Sequence, residues 1–236
     1  MTDLQLIIVY SLLCGATVLL GGILSHFFGD RVKAGLVKDE IIHLSMAFGG
    51  GILIAAVGLV LVPEGMRALT LVPTAICFSA GSVFFFFVDR YMDKRGGTMA
   101  QLLSMLSDFV PEAIAMGAVF SSNQSLGILL AVIIGIQNLS KSFNAYMDLK
   151  TRYTIQKSSF ILFLLSLTGV ISALAGYYLL AKPMMVGGLM LFSSGGIVCL
   201  IFQDIAPMSK LKKKGIPALG ASLGFMMGMI GVDVLG

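Results

Sequence analysis

The sequence has too little charge for a water-soluble protein. Only 12% of its 236 residues are Asp, Glu, Lys or Arg, whereas 57% are hydrophobic. A soluble domain carries roughly 25% charged residues, so this chain lacks the polar material to cover a surface that faces water. Lipid accepts an apolar surface. The composition therefore predicts an integral membrane protein that folds as a single bundle, with the lipid bilayer as its main partner.

Cysteine, histidine and catalytic motifs are also scarce. The three cysteines, Cys14, Cys77 and Cys199, stand far apart in apolar runs without CxxC spacing, which indicates core thiols rather than a redox or zinc motif. No Walker A pattern, no HExxH and no nucleophile–histidine arrangement occurs. The sequence therefore predicts no enzymatic activity, no resident cofactor and no nucleic-acid partner.

What the sequence does contain is a series of long apolar runs, separated by charges and turn residues. A transmembrane helix needs about 20 such residues, and the runs predict an all-α bundle of eight transmembrane helices. The predicted spans are 4–28, 41–62, 71–89, 99–120, 126–147, 158–181, 184–207 and 215–235. The connections between them are short, which favours antiparallel neighbours.

The basic residues predict the orientation of the bundle. If the N-terminus faces outward, thirteen of the sixteen Lys and Arg residues fall on inner connections, and only Arg67 and Lys182 lie outside. Cytoplasmic loops carry an excess of Lys and Arg. The alternation therefore predicts eight spans with both termini outside, because a missed or invented helix would scramble it.

Ionisable residues inside a span are costly and mark functional sites, and they concentrate in the fourth and fifth spans. In the fourth, Asp108 and Glu112 are four residues apart and share one helix face. Pro111 between them frees the carbonyl of Ser107, so the face is rich in oxygen. In the fifth, Gln137, Lys141 and Asn144 share a face at a similar depth. The two faces are expected to meet inside the bundle.

Two interpretations of this polar cluster stand side by side. Lys141 can neutralise a carboxylate and fix the register of the two helices. Alternatively, the cluster lies on a pathway for a solute, because three ionisable groups are a costly way to join two helices.

These residues resemble the ZIP (Zrt-, Irt-like) family of divalent metal transporters. That family has an HNxPEG pattern on its fourth helix, and DFVPEA at 108–113 keeps the Pro-Glu core. Its fifth helix carries a related pattern that often begins with Gln and Asp or Asn, and QNLSKS at 137–142 keeps those first positions. Weaker likenesses to the family's other helices cover most of the chain and follow the family's order. They lie in the glycines of the first span and in residues 43–65, 202–207 and 224–236.

The resemblance implies a fold and a function. The fold is a 3+2+3 arrangement in which helices one to three and six to eight form an inverted repeat. The function is secondary transport of a divalent cation toward the cytoplasm, through a site between helices four and five. Carried over by position, the metal ligands are Asp108, Glu112, Gln137 and Asn138.

The chain departs from the family at four positions of that centre. Asp108 replaces the His and Phe109 the Asn of the fourth helix, Lys141 replaces the bridging Glu of the fifth, and Ser172 stands where helix six supplies an acid. A one-residue insertion on the fourth helix would instead align Ser107 and Asp108 with the His-Asn pair, but the ungapped match preserves the helical phase. An ammonium beside two carboxylates mimics a bound cation, so a two-metal centre is not expected. A single oxygen-lined site without imidazole shifts preference toward manganese- or magnesium-like ions, with zinc, iron and cadmium as further candidates. Lys141 and Asn144 would then act as counter-ion or coupling residues.

The alternative function follows from the same lysine. A ZIP-like protein with Lys141 paired to Asp108 or Glu112 has lost metal transport, and acts as a sensor, a scaffold or a carrier of another solute.

Four polar residues nearer the span ends are candidates for the pathway: His43, Glu64, Gln203 and Asp204. Gly220, Gly224 and Gly228 form a small-residue stripe on the last span, which permits close helix packing within the bundle or across a homodimer. The compact chain and short loops favour a prokaryotic inner membrane.

Overall fold

The computed structural model describes residues 2–29, 36–95, 98–120, 123–179, 182–208 and 216–235, and these residues contain helices and no strand. We number the long helical segments α1 to α8 along the chain. They are α1 Asp3–Gly29, α2 36–68, α3 Leu71–Arg95, α4 Thr98–Phe120, α5 Gln124–Arg152, α6 Ile155–Leu179, α7 183–208 and α8 Ile216–Leu235.

Seven of these helices are long and apolar enough to cross a membrane, and α4 is the one outside that set. The protein is thus an all-α membrane bundle. Helix α4 carries Asp108 and Glu112. Because exposing ionisable side chains to lipid is unfavourable, the neighbouring helices have to shield them. Eight spans and their orientation stay predictions.

Helices α2 and α7 each contain a π-helical turn. These turns are Val57–Leu61 and Ile201–Ile205, each beginning six residues before a proline, Pro63 or Pro207. Because proline has no N–H to donate, the regular α-helical bonding is interrupted there. Single π-turns inside α-helices often mark functional positions.

The helices pack in corresponding pairs. Helix α1 packs against α5, and α6 packs correspondingly against α4. In the same way α2 packs against α8 and α5, while α7 packs against α3 and α4. The pairs α1–α6, α2–α7 and α4–α5 also touch. These packed pairs are therefore exchanged with one another when α1 exchanges with α6, α2 with α7, α3 with α8 and α4 with α5. Helix α2 also touches α3, without a matching α7–α8 pair among the described residues. Helices α4 and α5 lie at the centre of this arrangement.

Close helix approach at Gly117 gives a first prediction. A Cβ at this position would lie under 3.0 Å from backbone atoms of Ala173 on α6, whereas a Cβ at Gly58 on α2 meets nothing within 4 Å. We expect Gly117→Ala to destabilise the protein by about 1–3 kcal/mol, because α4 and α6 must separate to admit the methyl group. Gly58→Ala is the matched control and should leave the melting temperature unchanged. Equal melting temperatures for the two variants would contradict the packing.

Candidate functional site

The buried polar centre lies where α4 and α5 cross in opposite directions. Asp108 and Glu112 are one turn apart on α4, and Gln137 and Lys141 are one turn apart on α5. The Lys141 Nζ donates to Asp108 Oδ2 at 2.6 Å, and the Gln137 Nε2 donates to Glu112 Oε2. The two helices are thus joined by two successive polar bonds. One is an ion pair and the other links a carboxyl to a neutral amide.

This centre is withdrawn from the surface. Asp108 is 7% exposed, Glu112 5%, and Gln137 and Asn138 at most 1%. When all groups are ionised, the centre holds two carboxylates and one ammonium. Glu112 faces a neutral amide rather than a cation, so its charge is not directly paired. A buried unpaired charge is expensive, which makes this centre attractive to a cation.

Several polar atoms here have no protein partner. They are Asp108 Oδ1, Gln137 Oε1, both amide atoms of Asn138 and Asn144 Oδ1. Buried polar groups in native proteins are almost always hydrogen-bonded to protein, water or an ion. Four of these five atoms are oxygens, and carboxylate and amide oxygens are the ligands that hard divalent cations prefer. A hard cation or ordered water would supply the partners that these atoms lack.

A centre built on three strong ligands is not present in the described residues. No three His, Cys, Asp or Glu side chains lie there in a group that could hold a metal ion. A cation bound between α4 and α5 would have two carboxylates as ligands, and its other ligands would be amide or water oxygens. Soft ions that prefer sulfur or imidazole gain little from such a set.

The remaining predicted centre residues occupy distinct places. Asn144 lies on the same side of α5 as Lys141, and its Nδ2 donates to the carbonyl of Ser140 at 3.2 Å. Phe109 is fully buried, and its ring packs on Gly169 of α6. Phe109 therefore fills a packing position between α4 and α6. Ser172 of α6 is also buried.

Two of the four predicted pathway residues make contacts within their own helices. Glu64 pairs with Arg67 in its own helix. Gln203 accepts a long contact, 3.7 Å, from the Cys199 thiol one turn away. His43 is partly exposed near the start of α2. Asp204 lies in the π-helical turn of α7, and its side chain falls outside the part of the chain that the structure describes.

Two features of the site were missed from the sequence. The hydroxyl of Ser140 donates to the Ser45 carbonyl on α2 at 2.8 Å, and the Cys14 thiol of α1 donates to the Ala131 carbonyl on α5 at 3.1 Å. Both bonds attach the central α5 to helices outside the α4–α5 pair. The only available signal was a small polar side chain within an apolar run, a pattern common to many residues here that make only local bonds.

The chain matches no protein-family model, and no similar curated protein was found. Function therefore has to be inferred from the centre itself and from the motifs around it.

Proposed function

We propose that the protein is a secondary transporter of the ZIP type, which moves a divalent cation toward the cytoplasm through the centre between α4 and α5. The observation that carries this proposal is the buried centre with more carboxylate than ammonium and with unpartnered oxygens. The motif order and the exchange-symmetric packing support it. On this proposal α1–α3 and α6–α8 are the two halves of an inverted repeat that flank α4 and α5.

The proposed substrate is one hard cation, Mn²⁺ before Zn²⁺, held by Asp108, Glu112, Gln137 and Asn138. Glu112 has the largest role because its carboxylate faces no ammonium in the structure. Lys141 stands as a tethered counter-ion on Asp108. A cation that binds to both carboxylates has to draw Asp108 away from this ammonium, so binding to the native chain is expected to be moderate.

Binding of Mn²⁺ to the purified protein tests the proposal. A ligand at about 100 times its Kd stabilises the folded state by about 2.7 kcal/mol, which corresponds to roughly 5–10 °C in a chain of this size. We expect Mn²⁺ to raise the melting temperature in this way, and we expect Glu112→Gln, which keeps the shape but removes the charge, to abolish the effect.

Uptake of Mn²⁺ into proteoliposomes, with Glu112→Gln as the inactive control, then separates binding from transport. Asp233→Asn, at an exposed carboxylate near the end of α8, is the matched control and should keep both the thermal shift and the uptake. Absence of any metal-dependent shift in the native chain would contradict the proposal.

One observation favours the second candidate function. The ammonium of Lys141 already occupies Asp108, as a bound cation would. If this pair is permanent, the protein is a ZIP-like sensor, scaffold or carrier of another solute. This function predicts no Mn²⁺-dependent shift in the native chain, together with high intrinsic stability of the ion pair.

A further inference from the structure

The turn between α5 and α6 holds two exposed basic side chains in a well-defined position. Only two residues separate the end of α5 from the start of α6. The Tyr153 amide donates to the Leu149 carbonyl at 2.8 Å, which continues the bonding of α5. The Lys157 amide donates to Thr154 Oγ1 at 3.4 Å, at the first turn of α6. The side chains of Arg152 and Lys157, on either side of this turn, are both exposed.

A half-buried tyrosine lies between the two basic residues in the sequence. Tyr153 packs against the hydrophobic cluster around Tyr146, and the Lys157 Nζ lies 4.6 Å from the centroid of its ring. Tyrosine is enriched where a membrane protein meets the lipid headgroups, because one end of its side chain is apolar and the other polar. The turn therefore has the character of a headgroup contact.

The turn also carries a net positive charge. Residues 148–157 contain three basic residues and one acid, a net charge of +2. Asp148, one helical turn before Arg152, offsets part of the charge of the guanidinium. Lys150 lies over the Tyr146 ring, with its Nζ 5.8 Å from the ring centroid, and adds a third cation beside the two exposed ones. An anion near this turn is therefore attracted.

Beside the turn, α6 presents an apolar face to lipid. Its large exposed side chains are 38–68% exposed: Ile155, Phe160, Phe163, Leu164, Leu167 and Ile171. The rise along an α-helix from residue 160 to residue 171 is about 16 Å. This is close to half of the ~30 Å hydrocarbon core of a bilayer, so the face matches the acyl chains of one leaflet.

We propose that this turn and the exposed face of α6 form a binding site for one anionic phospholipid. The phosphate group binds to Arg152 and Lys157, and the acyl chains lie along the apolar face. Arginine suits phosphate because its planar fork donates two parallel hydrogen bonds. In the predicted orientation the turn lies at the inner leaflet, where anionic lipids attract basic segments. The site is separate from the α4–α5 centre and does not depend on the proposed function.

Competition between two lipids tests the site in the full-length chain. The purified protein in detergent receives equal amounts of phosphatidylglycerol and phosphatidylcholine with the same acyl chains, and native mass spectrometry measures which lipid stays bound. Each basic residue near an anionic lipid is worth about a factor of five in binding. We expect the native chain to prefer phosphatidylglycerol by about twentyfold, and the double variant Arg152→Gln with Lys157→Gln to retain both lipids about equally.

The double variant Arg90→Gln with Lys182→Gln is the matched control. It removes the same charge from two exposed positions on other parts of the bundle and should keep the preference. Equal loss in the two double variants would show attraction to overall charge and overturn the site, as would an unchanged preference without Arg152 and Lys157. Size-exclusion chromatography checks each fold, and either single variant, Arg152→Gln or Lys157→Gln, should lose about fivefold on its own.

Inorganic phosphate distinguishes a lipid from a free anion at the same turn. It has the charge of the headgroup but no acyl chains for the face of α6. Excess phosphate, compared with sodium chloride at the same ionic strength, should therefore leave phosphatidylglycerol bound. If phosphate displaces the lipid beyond the effect of sodium chloride, the turn binds a free anion and the lipid site is overturned.

Discussion

Replacing Lys141 with glutamate is expected to turn the centre into a tight cation site. The variant removes the ammonium from Asp108 and adds a third carboxylate, so the carboxylates face one another with no internal counter-charge. We expect the affinity for Mn²⁺ to rise by about a hundredfold or more, which is about 2.7 kcal/mol of binding free energy. Titration calorimetry against Mn²⁺ measures this directly. Without metal the same variant should melt below the native chain, because like charges repel inside it.

Lys141→Gln is the matched control for this change. It removes the ammonium without adding a ligand, so its gain in affinity should be clearly smaller than that of Lys141→Glu. Titrations with Ca²⁺ and Mg²⁺, which also take oxygen ligands, then show how strongly the three-carboxylate site of Lys141→Glu discriminates between cations of different size. A Lys141→Glu variant that binds Mn²⁺ no better than the native chain would mean that Lys141 does not compete with a cation for this centre.

Much of the helical architecture could be predicted from apolar runs, and the differences have a physical cause. The second span was predicted to end at 62, but α2 continues through Pro63 to Ala68. Proline is tolerated there because it lies in the first turn after the π-helical segment, where an amide donor is not required. The fifth span was predicted to end at 147, but α5 continues to Arg152. Apolar runs report the part of a helix that suits lipid, and polar end turns extend beyond it.

The composition of the centre was also predictable, but its pairing was not. Spacing of four residues was enough to place Asp108 with Glu112 and Gln137 with Lys141 on their helix faces. Which carboxylate takes the lysine depends on the register between α4 and α5. Side-chain periodicity does not determine that register, whereas the packing of Phe120 on Gly127 helps to do so. In the structure Lys141 pairs with Asp108, and Glu112 accepts a hydrogen bond from the amide of Gln137.

This pairing explains how one lysine can serve both proposed functions. An ammonium that bonds one carboxylate leaves the other available, so the centre keeps its attraction for a cation while it stays stable when empty. If the lysine bonded both carboxylates equally, an incoming cation would have to displace it completely. The strength of the Lys141–Asp108 pair therefore sets the balance between a transporter and a protein with a permanently filled centre.

Breaking that pair is expected to have the largest effect on stability. Removing one partner of a buried ion pair costs about 3–5 kcal/mol when the other charge stays buried and unpaired. Glu112, one turn from Asp108, still attracts the ammonium of Lys141, so the loss is expected at the lower end of that range. For Asp108→Asn we therefore expect a fall in melting temperature of roughly 10 °C, at about 2–4 °C per kcal/mol in a chain of this size. Glu64→Gln is the control, since it breaks the exposed pair with Arg67, whose side chain is 75% exposed. It should change stability by less than about 1 kcal/mol.

The double variant Asp108→Asn with Lys141→Gln separates an ion pair from simple loss of packing. When both charges are removed, neither is left unpaired, so the double variant should melt well above Asp108→Asn alone. Additive losses in the double variant would show that the two residues do not form a pair in the folded protein. Recovery of most of the loss, together with weak Mn²⁺ binding in the native chain, would instead favour the permanently filled centre over the transporter.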